Sequence, residues 1–99
     1  RILCAFQPHT YTRTKALFPE FVEALKLCDQ AVLAPIYAAR EQNTVGVYAS
    51  DLAEEVPGAV AFDSFAEIAA YLRREAGPND LVITMGAGNI NEVGPMLIR

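Results

Sequence analysis

The chain holds one histidine and two cysteines, no tryptophan, and only eight lysines and arginines, which never form a cluster. Each scarcity excludes something. One His with two Cys, neither in a Cys-x-x-Cys pair, cannot complete a zinc site. Cys4 lies in an apolar run and Cys28 closes a helical pattern, so both are expected as small buried side chains. The formal net charge is −4 and the pI about 4.8, which leaves nucleic-acid binding without electrostatic support. No apolar stretch is long enough to span a membrane and no signal-peptide pattern is present, so the expected location is the cytoplasm. A phosphate-loop lysine motif, a Ser/His/Asp set and a metal-binding carboxylate cluster are all missing. No catalytic residue and no metal ligand is therefore assigned within the chain.

What is present is globular. Hydrophobic residues make up 53% of the 99 and charged residues 20%, enough for one domain with a modest core. The chain opens inside a strand pattern and stops on Met96-Leu97-Ile98 and then Arg99, with no linker composition at either end. The expectation is a single domain over residues 1–99, cut from a longer polypeptide.

Apolar runs alternate with helical patterns. Residues 2–6, Ile-Leu-Cys-Ala-Phe, read as a strand buried on both faces. A helical pattern starts near Thr12, with Thr12 and Thr14 available as caps, and Pro19 opens a helix expected to run to about Leu27. Phe18, Phe21, Val22, Leu25 and Cys28 form its apolar stripe. Residues 31–34 are the second strand, followed by a long loop over 36–46. Ser50 is the expected cap of a short helix over 51–55, and residues 59–62 the third strand. Ser64-Phe65-Ala66-Glu67 is a capping box, with Phe65, Ile68, Leu72 and Ala76 facing inward and Gly77-Pro78 as the stop. Residues 81–85 are the fourth strand, 86–89 a tight loop, and a last helix opens near Asn91. This alternation predicts an α/β fold: an open, mostly parallel, Rossmann-like sheet with helices on both faces.

In such a sheet the loops after strands one, two and four lie at one edge, where open α/β folds bind ligands. The first offers His9, Thr10, Tyr11 and Arg13; the second Tyr37, Arg40 and Glu41; the third Gly86, Gly88 and Asn89. Arg forks onto carboxylate or phosphate, and glycines allow close backbone approach. Each residue alone also has a plain reading. His9 orders a loop, Arg13 pairs with an acid such as Glu20, Tyr37 packs, Arg40-Glu41 is a solvated pair, and Gly86-Ala87-Gly88 is a turn. Convergence of three loops is the stronger signal, and it suits a small anionic ligand.

The run Phe6-Gln7-Pro8-His9-Thr10-Tyr11-Thr12-Arg13-Thr14 closely resembles the C-terminal domain of the Mur ligase family, the amide-forming ligases of bacterial peptidoglycan synthesis. Three later stretches agree in order: residues 34–41 (Ala-Pro-Ile-Tyr-Ala-Ala-Arg-Glu), 46–52, and 84–90 (Thr-Met-Gly-Ala-Gly-Asn-Ile). The match runs nearly the whole length, and the branch it resembles adds L-alanine to UDP-N-acetylmuramate. The resemblance implies a three-domain, ATP-dependent acid–amino-acid ligase. An N-terminal domain binds the UDP-sugar, a central domain binds ATP with Mg2+, and the C-terminal domain brings in the amino acid. It carries His9 and Arg13 over to the substrate, sets Arg40 on the amino-acid side and puts Gly86, Gly88 and Asn89 on the border of the same pocket; Thr10 and Tyr37 join them as expected substrate-binding residues from the three-loop reading, and no metal ligand is expected. Many relatives have Arg where this chain has Thr10, so Arg13 or Arg40 would hold the carboxylate. The family's opening segment would lie before Arg1, its last helix would be cut at Arg99, and the fragment alone is expected to be inactive. Two other readings stay open: a free-standing small-anion-binding or regulatory module, and a related ligase using another amino acid.

Overall fold

A computed structural model describes residues 1–98. Four strands, β1 (Ile2–Phe6), β2 (Gln30–Leu33), β3 (Val60–Ala61) and β4 (Leu81–Met85), form one sheet in the order β3-β2-β1-β4. All three pairings are parallel, with Cys4 opposite both Ala31 and Ile83. Helices α1 (Tyr11–Ala16), α2 (Phe18–Leu25), α3 (Ala49–Glu55), α4 (Phe65–Glu75) and α5 (Val93–Leu97) fill the connections, and a 3-10 turn spans Ile90–Glu92.

Side-chain alternation along β1 and β2 explains the two-sided core. Cys4, Phe6, Ala31 and Leu33 point one way, against Val22 and Leu25 of α2 and Ala49 and Leu52 of α3. Leu3, Ala5 and Val32 point the other way, against Ile68, Ala69 and Leu72 of α4, together with Ile90 and Val93. Leu3, Leu33, Leu52, Ile68 and Leu72 are sealed from solvent. Each contributes about 1.5–3 kcal/mol by leaving water.

The chain runs outward from β1 to β2 to β3 and then returns past β1 to add β4 on the far side. The first two connections pack on one face and the third on the other, as the order reversal requires. The reversal makes the gap between β1 and β4 a topological switch point, with its crevice at the carboxyl ends of the strands.

Several boundaries differ from the sequence reading. Helix α1 begins at Tyr11, capped by Thr10, whose hydroxyl accepts from the Arg13 amide. Thr12 and Thr14 lie inside the helix, and the buried Thr14 hydroxyl donates to the Thr10 carbonyl at 2.7 Å. Ser50 does not cap α3: the Asp51 carboxylate accepts from the Tyr48 amide at 2.8 Å, so the helix starts at Ala49. Strand β3 keeps two residues of the expected four, because only Val60 and Ala61 pair with β2. Helix α2 ends at Leu25, earlier than Leu27. Ser64 caps α4 as expected, accepting from the Glu67 amide. The expected cut at Arg99 lies outside the described residues.

Candidate functional site

The carboxyl edge of the sheet carries three loops: residues 7–10 after β1, 34–48 after β2 and 86–89 after β4. Backbone and side chains lace them together.

The first and third loops join across the switch point. The Gln7 amide donates to the Met85 carbonyl at 2.9 Å, which carries the strand pairing one step past the end of β1. The Gln7 side chain is 4% exposed. Its Oε1 accepts from the amides of Asn89 (3.0 Å) and Ile90 (3.1 Å), while its Nε2 donates to Asn89 Oδ1 at 3.0 Å. Both ends of one buried amide are thus satisfied by the third loop.

The first and second loops join next. His9 and Tyr37 form an isolated parallel bridge, with the Thr10 amide donating to the Tyr37 carbonyl and the Tyr37 amide to the Pro8 carbonyl, each at 2.8 Å. The imidazole stacks on the Tyr37 ring, centroids 5.5 Å apart and planes 13° from parallel. The Glu41 carboxylate reaches back to α1: Oε1 accepts from the amides of Tyr11 (2.7 Å) and Thr12 (3.1 Å), and Oε2 from the Thr12 hydroxyl (2.5 Å). These bonds, the Thr12 hydroxyl first, hold the Glu41 carboxyl below its ordinary pKa.

The second and third loops close the ring. A Cβ added to Gly88 would lie 2.7 Å from the Tyr37 ring and 2.6 Å from Gln7 Oε1. At Gly86, φ is +155° and a Cβ would stand 2.8 Å from the Gln7 carbonyl. Side-chain-free residues are needed at both positions.

Seven of the eight residues expected around a ligand therefore share one rim. His9 and Arg13 are neighbours, with Arg13 Nη1 3.5 Å from His9 Nδ1. Thr10 spends its hydroxyl on the Arg13 amide. Tyr37, Gly86, Gly88 and Asn89 line the crevice as described. Arg40 is on the second loop but exposed, and it takes no hydrogen bond or ion pair among the described residues. The expected pairings of Arg13 with Glu20 and of Arg40 with Glu41 do not form: Glu41 is turned toward α1, and neither arginine is in an ion pair among the described residues. A cavity of about 290 Å³ beside Tyr37 is lined by Gln7, Ala38, Asp63, Ser64 and Asn89, on the crevice side of the second loop.

Sequence reasoning did not single out Gln7 as a tether or Glu41 as a clamp. A polar Gln closing an apolar strand, immediately before Pro8, was the available signal for the first. Nothing local signals the second, since its partners lie about thirty positions away. Among the described residues no three His, Cys, Asp or Glu side chains gather as a metal site. No helix of the described residues is long and apolar enough to cross a membrane.

The comparisons with known proteins bear on this rim. A family model described as Mur ligase, glutamate ligase domain, matches residues 1–88. The UDP-N-acetylmuramate–L-alanine ligase of Lachnospira eligens is 48% identical over 103 aligned residues, covering 100% of this chain and 22% of that protein. The enzyme of the same name from Acetivibrio thermocellus is 44% identical with the same coverage, and that from Mycobacterium marinum 41%, over 99% of this chain and 20% of its own length. The chain spans about a fifth of the length of these curated relatives. With the family model spanning all four strands, the first two rim loops and the third as far as Gly88, the chain belongs to the Mur ligase family, as its C-terminal domain.

Proposed function

We propose that this chain is the amino-acid-binding, closing domain of a cytoplasmic, ATP-dependent ligase that joins L-alanine to UDP-N-acetylmuramate in peptidoglycan synthesis. The observation that carries the reading is the interlocked rim: three loops from distant parts of the chain meet at the switch point and present Arg13, His9 and Tyr37 together. The names of the relatives supply the reaction, and the rim supplies a place for its amino acid.

The chemistry needs an amine held against an activated carboxyl group. ATP, with Mg2+, supplies that activation by phosphorylating the muramyl carboxylate. The resemblance puts both in the central domain of the longer protein. The rim's own work is placement. Arg13 forks onto the alanine carboxylate, which leaves the amine free to attack. His9, stacked on Tyr37 and next to Arg13, faces the same ligand or the phosphoryl end. The glycine turn brings the backbone N–H groups of residues 86–88 to the crevice, where they meet developing negative charge. Arg40 flanks the rim as a second cation. With Thr10 committed to the helix cap, Arg13 carries the carboxylate.

The test uses the full-length protein with ATP and UDP-N-acetylmuramate. Phosphate release should depend on L-alanine and not on L-glutamate or meso-diaminopimelate. Arg13→Ala should lower kcat/KM for L-alanine by the loss of a charged hydrogen bond, about 1.5–3 kcal/mol, or roughly ten- to hundredfold. Dependence on another amino acid would move the chain to a different branch, and unchanged alanine kinetics would remove Arg13 from the site.

A further inference from the structure

Glu41 has a peculiar position. It is half-buried, its nearest cation in sequence is Arg40, and it ignores that neighbour. Its two oxygens accept three hydrogen bonds from the first turn of α1, the turn that carries Arg13. The helix itself has no acidic residue in that turn, so the second loop supplies the negative charge its N–H groups favour.

The bonded segments are strained. Thr10 has φ +62° and Ala39 has φ +56°, the only non-glycine residues with positive φ among those described. One lies just before the Glu41-bonded turn and the other two residues before Glu41 itself. Backbone held in this region reverts unless its surroundings fix it. Four ties do so here: the two amide–carbonyl bonds between Thr10, Tyr37 and Pro8, the His9–Tyr37 stack, and the Glu41 clamp. Of these ties between the loops only the clamp reaches α1, which Thr10 also caps from within the first loop.

We propose that Glu41 is a positioning residue: by holding the first turn of α1 against the second loop, it sets where the Arg13 guanidinium and the His9 imidazole stand on the rim. Glu41 acts through α1 and not on the substrate; both of its carboxylate oxygens are engaged within the chain. Because it already occupies the amides of Tyr11 and Thr12, the substrate carboxylate is left to Arg13. The inference rests on the reading of the rim as an amino-acid site for its kinetic readout, and on geometry alone for its spectroscopic one.

The experiment compares Glu41→Ala and Glu41→Gln in the full-length protein. Glu41→Ala frees α1, and a misplacement of Arg13 should raise KM for L-alanine by about tenfold or more. KM for ATP and for UDP-N-acetylmuramate should stay within about twofold, which separates a misplaced Arg13 from a general distortion of the active site; a mere loss of folded protein lowers kcat and leaves every KM, that for L-alanine included, unchanged. Glu41→Gln keeps one carbonyl oxygen for the two amides and should hold KM for L-alanine within about threefold of wild type. In parallel, the His9 imidazole resonance, assigned by its loss in His9→Gln, should shift in Glu41→Ala and stay near its wild-type position in Glu41→Gln. An unshifted resonance in Glu41→Ala overturns the proposal, as does an unchanged alanine KM in an enzyme that uses alanine. Equal losses in all three KM values, or Glu41→Gln as impaired as Glu41→Ala, also overturn it. A shifted resonance in a protein that does not ligate alanine upholds the clamp and sinks only the reading of the reaction.

Discussion

Gln7→Leu tests the tether between the first and third loops. Leucine fills nearly the same volume, so no large cavity opens; what disappears is one acceptor and one donor. Two backbone amides, those of Asn89 and Ile90, lose the oxygen they share at 3.0 and 3.1 Å. The two losses differ. Ile90 is 2% exposed and its bond to Gln7 is buried, so its amide has no route to water and bears the full cost of an unpaired donor, about 1–3 kcal/mol. Asn89 is exposed, so water replaces part of what is lost, and its share is about 1 kcal/mol or less. The sum is about 1–4 kcal/mol, a large fraction of the 5–15 kcal/mol available to an ordinary domain. Urea denaturation of wild type and variant, followed by circular dichroism, reads the difference, and exchange of the Ile90 amide should accelerate most. Gln7→Glu is the control. A carboxylate still accepts from both amides, and the Asn89 side chain can turn to donate to it, so the loss should be clearly smaller at neutral pH. A Gln7→Leu variant within about 0.5 kcal/mol of wild type would mean that the amides find other partners and that Gln7 does not hold the third loop.

The remaining predictions are shorter. Gly88→Ala should destabilise by about 1–3 kcal/mol in the same denaturation assay, since its Cβ would stand 2.6 Å from Gln7 Oε1 and 2.7 Å from the Tyr37 ring. Glu41 has a depressed pKa in the folded chain, so its contribution is present above its ordinary value and is lost as pH falls through the lowered one; acid titration of stability should show a shallower fall below about pH 4 in Glu41→Gln than in wild type. Burial pushes the Cys4 thiol up to about 11, and Cys28 is raised less and only half-buried, so iodoacetamide at pH 8 followed by mass spectrometry should label Cys28 well before Cys4.

The layered sheet was legible in the sequence because its two central strands, β1 and β2, are buried on both faces. Ile2 through Phe6 needs no alternation to be read, since the apolar run itself reports helices on either side. The convergence of the loops followed from parallel topology alone. Caps were harder. Thr10, Thr12 and Thr14 all offer a hydroxyl near the start of α1, and the choice of Thr10 depends on a positive φ that no residue type announces. Ser50 has the better capping propensity, yet Asp51 reaches back to the Tyr48 amide and starts the helix earlier. Strand β3 reads as four apolar residues, but pairing requires a neighbour, and only two find β2. The tether and the clamp depend on sequence separations of 82 and 30, which no local pattern encodes.

The rim divides into groups that are spent and groups that are free. Gln7 uses both ends of its amide and Glu41 both carboxylate oxygens within the chain, while the Thr10 hydroxyl and Asn89 Oδ1 each accept a bond there, and together they hold the loops in one arrangement. The Arg13 and Arg40 guanidinium groups are exposed, and neither is in an ion pair among the described residues. A ligand arriving at such a rim meets loops already tied together and exposed cations with no ion-pair partner among the described residues. It therefore has to order only one or two side chains, at about 0.5–1.5 kcal/mol each, and not three loops. The same division explains how Thr can stand at position 10, where the resemblance led one to expect a cation: its hydroxyl, by capping α1, fixes the helix from which Arg13 projects. Replacing it by Arg would add a charge and remove that cap, so Thr10→Arg should strengthen carboxylate binding only if the Glu41 clamp can hold α1 without the Thr10 hydroxyl. The double variant Thr10→Arg with Glu41→Ala should then bind L-alanine worse than the two single changes combined independently would give.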